Sequence, residues 1–120
     1  MELVEDKHNS DFNIISYSNG SIKISGNTYS KPIIFFNSKI SYFKIIQPKL
    51  INYIDIEEYL NSVDLLLIGT GAGTIILNEE LIKIMFEKNK GLEFMNTQSA
   101  CKTHNLLLSE NRSFSSILYP

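Results

Sequence analysis

Polar and apolar residues alternate in the first half of the chain, as they do in β-strands. In Ser21 to Ser25 every second residue is isoleucine, and this period of two indicates a strand with one buried face. Gly20 and Gly26 bracket the segment with residues typical of turns. Pro32 to Phe36 is apolar on both faces, which favours a strand covered on both sides. The N-terminal half is therefore predicted to be an antiparallel meander of short strands.

In the second half, short apolar runs alternate with segments of helical periodicity. The runs are typical of buried strands, and they are Asp64 to Ile68, Leu92 to Met95 and Ser113 to Tyr119. A chain that alternates strands and helices forms right-handed crossovers and places strands side by side in parallel. The predicted fold class is α/β, with a β-α-β-α-β C-terminal half and the meander beside or across its sheet.

Capping residues predict where three helices begin. The first should run from Asp55 to near Ser62, because Asp55 and Glu58 have the spacing of a capping box. The second should follow Asn78 and the third Thr97, since both residue types can cap a helix. The residues expected on the buried face of the second helix are Leu81, Ile82, Met85 and Phe86.

The bulk properties favour one soluble domain. The chain has 120 residues, of which 43% are hydrophobic and 20% are charged, and both fractions are close to the globular average. We expect a single domain over residues 1–120, with residues 1–11 as a mobile tail. The single cysteine excludes an internal disulfide, and the acidic start does not resemble a targeting sequence, so a cytoplasmic location is expected. No apolar run approaches the roughly 20 residues that span a bilayer.

Charge argues against nucleic acid as a partner. The net charge is −2, whereas domains that bind nucleic acid are usually basic. The distribution is uneven, because residues 12–54 contain no acidic residue but several lysines. Most such stretches are solvated strand faces, and the alternative is a surface patch that meets an acidic partner or a phosphate-bearing surface. The lysines are Lys23, Lys31, Lys39, Lys44 and Lys49.

Cys101 and His104 bring a nucleophile and a base closer together than any other segment does. On the last predicted helix they share one face with Ala100, Leu107 and Leu108. A buried thiol behaves as a small hydrophobe, and its activation would need solvent access, an orienting group and an oxyanion donor. We interpret the pair as packing residues and predict no catalytic residue; the alternative is a Cys/His nucleophile. No metal site is predicted, since two such ligands do not complete a zinc shell.

A glycine-rich loop from Gly69 to Gly73 follows a predicted buried strand. It departs from the dinucleotide pattern, because Thr74 stands where the third glycine would be, and no cofactor is predicted. If the strands ending at Ile68 and Met95 are parallel neighbours, this loop lies at the carboxyl edge, where open α/β sheets bind ligands. That edge is the candidate site for a small ligand or anion. Its residues are Gly69, Thr70, Gly71, Met95, Asn96 and Thr97.

Several segments, taken in order, make the chain similar to one known family. They are Ile22 to Tyr29, the helix at Asp55, Leu66 to Gly71, Met95 to Thr97, Ala100-Cys101 and Glu110 to Arg112. By these segments the chain resembles the family of the mitochondrial complex I (NADH:ubiquinone oxidoreductase) assembly factor 3 and its small bacterial and archaeal relatives. It departs from the family at His104, where relatives commonly carry an aromatic residue. This departure favours a packing role for His104.

The resemblance implies a three-layer α/β fold with a mixed central sheet, and no established enzyme activity or cofactor. It also implies protein partners, since the best-described members assist the assembly of a membrane respiratory complex. We therefore expect a non-enzymatic interaction module, with respiratory-complex subunits or assembly factors as partners and self-association into a homo-oligomer left open. Its strand-rich half should carry a partner-sized apolar or basic patch. The alternative function is a ligand-binding protein or enzyme that uses the carboxyl edge.

Overall fold

The computed structural model describes residues 11–120, which form eight strands and three α-helices. Apart from Asp11, the tail predicted to be mobile lies outside the described residues. Two 3-10 turns, Pro48–Leu50 and Glu57–Leu60, flank the first helix. In chain order the elements are β1 (Ile14–Ser18), β2 (Ser21–Ile24), β3 (Asn27–Tyr29), β4 (Ile33–Phe36), β5 (Lys39–Tyr42), α1 (Tyr53–Ile56), β6 (Leu65–Gly69), α2 (Glu79–Glu87), β7 (Gly91–Met95), α3 (Thr97–Ser109) and β8 (Phe114–Leu118).

A five-stranded mixed sheet in the order β5-β4-β8-β6-β7 forms the centre of the fold. β6 pairs in parallel with both β7 and β8, as the alternation of strands and helices predicted. β4 pairs antiparallel with β5 and β8. Leu66 and Ile68 belong to the core on one face of the sheet, and Leu65 and Leu67 to the core on the other. β6 is therefore covered on both faces, which explains its unbroken apolar sequence.

Two hydrophobic cores on opposite faces of the central sheet make the fold three-layered. On one face, Ile22 and Ile24 of β2 pack in the same cluster as Leu67 and residues of α3. On the other face, Ile56 of α1 and Leu81 of α2 complete the second cluster. The predicted three-layer α/β fold with a mixed sheet is confirmed. The meander divides between two sheets, because β1, β2 and β3 form a separate antiparallel sheet while β4 and β5 extend the central one.

The starts of two helices differ from the predicted ones by one or two residues. α1 begins two residues early, because Asn52 is its cap and Asp55 is the third residue after the cap. The carboxylate of Asp55 accepts a hydrogen bond from the backbone N–H of Asn52 at 2.8 Å, so the capping box is present but shifted. α3 is capped by Asn96 rather than by Thr97. Asparagine is the stronger cap, and the Thr97 hydroxyl has other partners, described below.

The apolar face predicted for α2 is only partly buried. Asn78 caps this helix as predicted, and Leu81 and Met85 are buried. Phe86, however, is 85% exposed, so its predicted place on the buried face is wrong. α2 has nine residues and packs against β7, the last strand of the sheet. One residue beyond Met85, the side chain points about 100° further round the helix, where no strand is left to cover it.

Candidate functional site

The residues of the predicted carboxyl edge are brought together by strand pairing. β6 and β7 are parallel neighbours with Gly69 opposite Met95, so the loops that follow the two strands meet. The backbone N–H of Thr70 donates to the Met95 carbonyl at 2.8 Å, and the N–H of Thr97 donates to the Gly71 carbonyl at 2.8 Å. The two loops are thus joined by direct backbone hydrogen bonds.

Thr97 joins three strands at this edge through its hydroxyl. Its Oγ1 accepts a hydrogen bond from the Gly71 N–H at 2.7 Å and donates to the Tyr119 carbonyl at 2.6 Å. The side chain is fully buried, so both bonds are shielded from water. The Gly71 amide, which could otherwise face an anion, is therefore occupied within the chain.

Gly69 and Asn96 also have internal roles at the carboxyl edge. A Cβ atom added to Gly69 would lie 2.9 Å from the Ala100 Cβ and 3.1 Å from the Leu118 Cδ2, so this glycine allows α3 and β8 to approach closely. The Asn96 side chain accepts a hydrogen bond from the Ser99 N–H at 2.9 Å. All six candidate residues thus lie at one edge, and each contributes to its packing or bonding. Ligand binding by this edge stays a prediction.

His104 lies in the core between the central sheet and α3. Its Nε2 is 3.0 Å from the Phe12 carbonyl and its Nδ1 is 2.9 Å from the Ser116 hydroxyl. A carbonyl only accepts, so Nε2 carries the proton and Nδ1 accepts from Ser116. The ring also makes edge contacts with Phe35 and Phe114, at centroid distances of 5.1 and 5.3 Å. Burial lowers the pKa of His104 to about 4, so the imidazole is neutral near pH 7.

Cys101 is buried on the same side of α3. Burial raises the pKa of its thiol to about 11, because an apolar environment disfavours the thiolate. The inward orientation predicted for Cys101 and His104 is confirmed, and the position of His104 between two phenylalanine rings is that of a packing aromatic. In residues 11–120, no three His, Cys, Asp or Glu side chains are grouped in a way that could hold a metal ion.

Residues 42–54, from the last residue of β5 to the first turn of α1, carry a high density of exposed apolar side chains, and we refer to them as the 42–54 segment. It holds four of the nine large hydrophobic residues that are exposed in the described part of the chain. Two of its lysines, Lys44 and Lys49, are exposed as well. The four residues are Tyr42, Ile46, Leu50 and Ile54, with exposed fractions of 62%, 73%, 52% and 78%.

The backbone of the 42–54 segment is anchored to the core. Phe43 and Ile51 are buried, and the Tyr119 hydroxyl donates to the Ile45 carbonyl at 2.7 Å. Lys44 Nζ lies 3.9 Å from a carboxylate oxygen of Asp55. The outward-facing residues are therefore presented on a fixed surface, as an interaction site requires.

The start of α2 is bonded to the 42–54 segment. Asn78 Nδ2 donates to the Asn52 side-chain oxygen at 2.9 Å, which joins the start of α2 to the 42–54 segment. Ile75 and Ile76, just before Asn78, are also exposed. The sequence pattern predicts a meander strand from Ile40 to Ile46, which would leave no such surface there, but β5 ends at Tyr42. The adjacent isoleucines 45 and 46 break the period of two and were the available signal.

The fold places the chain in the class of small three-layer α/β proteins with a mixed central sheet. Residues 14–119 match the family described as protein of unknown function (DUF498/DUF598), and the chain belongs to this family. None of the helices within residues 11–120 has both the length and the apolar character needed to cross a membrane.

The chain is similar to two named relatives and to a protein of known structure. The 13 kDa major membrane protein of Francisella tularensis subsp. holarctica (strain LVS) is 30% identical, and the alignment covers 98% of both chains. NADH dehydrogenase (ubiquinone) 1 alpha subcomplex assembly factor 3 of Danio rerio is 28% identical over 89% of this chain and 63% of its own length. An outer membrane protein from Bartonella henselae has a crystal structure with a TM-score of 0.79, 28% identity and coverage of 92% of this chain and 95% of that one. The resemblance predicted from the sequence is confirmed.

Proposed function

We propose that this protein is a non-enzymatic interaction module that binds a subunit or another assembly factor of a membrane respiratory complex. The observation that carries the proposal is the 42–54 segment, whose exposed apolar residues stand on an anchored backbone. Single exposed hydrophobic residues are common, but a concentration of them marks a surface for another protein. The name of the Danio rerio relative supplies the class of partner.

The chemistry of the segment fits a partner with an apolar and acidic surface. Ile46, Leu50 and Ile54 provide apolar area, and their burial would contribute about 25 cal/mol for each Å² removed from water. Lys49 lies between Ile46 and Leu50, and Lys44 lies two residues before Ile46, in a stretch, residues 12–54, without acidic residues. Complementary charge accelerates association and disfavours wrong partners. Two relatives are named as membrane proteins, which supports a partner located at a membrane.

Affinity isolation after gentle crosslinking in cells tests the proposal with two matched triple variants. One carries Ile46→Ser, Leu50→Ser and Ile54→Ser in the 42–54 segment. The other carries Ile15→Ser, Phe86→Ser and Leu106→Ser, which are exposed apolar residues elsewhere on the protein. All six side chains are more than half exposed, so both variants should fold, which circular dichroism can verify.

The expected result is that the wild type and the second variant recover a respiratory-complex subunit or assembly factor, while the segment variant recovers about tenfold less of it. Recovery of no such protein by the wild type would overturn the proposed partner class. Equal recovery by both variants would show that the 42–54 segment is not the binding surface.

A further inference from the structure

A cleft of about 460 Å³ opens at the end of the central sheet opposite to the carboxyl edge. Its walls are the turn between β4 and β5, the loop before β6 and the connection from α3 to β8. We call it the amino-end cleft, because β6 and β8 both begin there. Its volume lies within the range of roughly 300–1,000 Å³ typical of small-molecule sites. It lies away from the 42–54 segment, which follows the far end of β5.

The walls of the amino-end cleft are held in place by hydrogen bonds between loops. The Ser113 hydroxyl donates to the Ser62 carbonyl at 2.6 Å, and the Asp64 N–H donates to the Ser113 carbonyl at 3.1 Å. Ser38 and Ser62 in these walls have φ angles of 57° and 66°, a left-handed conformation that is uncommon for serine. At Ser38 the turn itself requires this conformation, because Asn37 and Ser38 form the two-residue loop of the β4–β5 hairpin.

Arg112 gives the amino-end cleft its charge. It is the only arginine in the chain, and it is the only charged residue among those that line the cleft. Side chains of Asn37 and Asn61 add polar groups, and Val63 and Leu108 add apolar surface. A planar guanidinium binds a carboxylate through two parallel hydrogen bonds. Among the described residues, the lining thus combines one cation with amide groups and apolar surface.

We propose that the amino-end cleft binds a small organic carboxylate, with the ligand's carboxylate paired to the Arg112 guanidinium and its apolar part against Val63 and Leu108. The apolar and charged groups in one cleft select an anion with a hydrocarbon portion over a simple inorganic ion. This inference is independent of the proposed function, because it uses different residues.

Nuclear magnetic resonance titration of the 15N-labelled protein tests the proposal with three probes of similar size. Phenylacetate carries the carboxylate, phenylacetamide is its neutral counterpart, and phenyl phosphate carries a different anion. Phenylacetate should shift amide signals of Ser38, Val63 and Ser113 in a saturable way. Phenylacetamide should bind at least about tenfold more weakly, because it lacks the charge that pairs with Arg112.

Variants then assign the anion contact. Arg112→Gln should weaken phenylacetate binding about tenfold or more, and Arg112→Lys should recover part of the loss because it keeps the charge without the two-pronged geometry. Lys23→Gln, which removes an exposed charge from β2, should change the affinity less than about twofold.

Three results would overturn the proposal. One is the absence of saturable shifts in the cleft residues with phenylacetate. Another is unchanged phenylacetate affinity in the folded Arg112→Gln variant. A third is tighter binding of phenyl phosphate than of phenylacetate, which would assign the cleft to phosphate esters instead.

Discussion

The two ends of the central sheet are built in opposite ways. At the carboxyl end of β6 and β7, the loops bond directly to each other, and Thr97 is fully buried between them. At the amino end, the loops before β6 and β8 are also bonded, through Ser113, but they leave the amino-end cleft open beside the turn between β4 and β5. Small polar residues are present at both ends, so their presence alone does not explain the difference.

The difference lies in where the hydrogen-bonding groups are directed. At the carboxyl end, the amide of Gly71 and the hydroxyl of Thr97 bond to each other and to the C-terminal strand region. A ligand there would have to replace bonds that already exist. At the amino end, the charged group of Arg112 lines an open space. The usual location of ligand sites in open α/β sheets thus depends on whether the chain itself uses the donors at that edge.

The largest effect should come from removing the hydroxyl that closes the carboxyl end. Thr97→Val keeps the shape of the side chain but leaves the Gly71 N–H and the Tyr119 carbonyl without their partner. Two buried unsatisfied groups should lower the free energy of unfolding by about 4 kcal/mol. Urea unfolding measures this. In Thr103→Val on the same helix, where the hydroxyl contacts only the Met95 sulfur at 3.6 Å, the loss should be below about 1 kcal/mol. Similar losses of unfolding free energy in both variants would contradict the stabilising role of the Thr97 hydrogen bonds.

Acid should lower the free energy of unfolding because of His104, which lies in the core between the two ends of the sheet. Its pKa falls from 6.5 to about 4 on folding, so the unfolded chain binds more protons between these pH values. The stability is present above pH 6.5 and decreases by about 3 kcal/mol as the pH falls towards 4. Unfolding of the wild type and of His104→Phe from pH 7.5 to 4 isolates the effect, because carboxylates titrate in both. A constant difference between the two proteins would show that His104 is not protonated selectively in the unfolded chain.

Adding a methyl group at the closely packed Gly69 should lower the free energy of unfolding by an intermediate amount. In Gly69→Ala the new methyl group would lie 2.9 Å from the Ala100 Cβ, so α3 must move. Overpacking of this kind should cost about 2 kcal/mol in the free energy of unfolding. Gly73→Ala, in the same loop with no atom within 4 Å of the added Cβ, is the matched control and should be close to neutral by calorimetry. An unchanged free energy of unfolding in Gly69→Ala would mean that α3 and β8 can move apart at the carboxyl end without loss of stability.

The smallest effect is expected at the amino end. Arg112→Gln should change the free energy of unfolding by less than about 0.5 kcal/mol, because the side chain is exposed. Urea unfolding of Arg112→Gln and of Thr97→Val under the same conditions compares the contributions of the two ends to the free energy of unfolding. A loss as large as that of Thr97→Val would show that Arg112 holds the fold together rather than serving the cleft.

Most of the strand and helix assignments followed from periodicity alone. The run Asp64 to Ile68 predicted β6 within one residue, since a strand covered on both faces needs consecutive apolar residues. Cys101 and His104 were placed inward by their spacing on α3, and both are buried. The residues between Thr97 and Arg112 are mostly helical, and a rise of about 1.5 Å per residue predicts Arg112 near the opposite edge of the sheet; it lines the amino-end cleft.

Other features depended on groups far apart in the sequence. The cap of α3 moved to Asn96 because the Thr97 hydroxyl bonds to Gly71 and Tyr119. Phe86 fits the apolar period of α2 but is exposed, since the sheet ends at β7. Neither outcome is visible in a local pattern, because each depends on which distant element lies beside the residue.

By itself, the sequence determined the class of fold, the order of the elements, the inward faces of the main helices and the family. These follow from local periodicity and from the spacing of neighbouring residues, which act over a few positions of the chain. The tertiary structure alone decided that the loops at the carboxyl end bond to each other through buried groups, while a cleft opens at the amino end. That choice depends on hydrogen bonds such as that from Thr97 to Tyr119, 22 residues apart, and only the folded chain brings such groups within bonding distance.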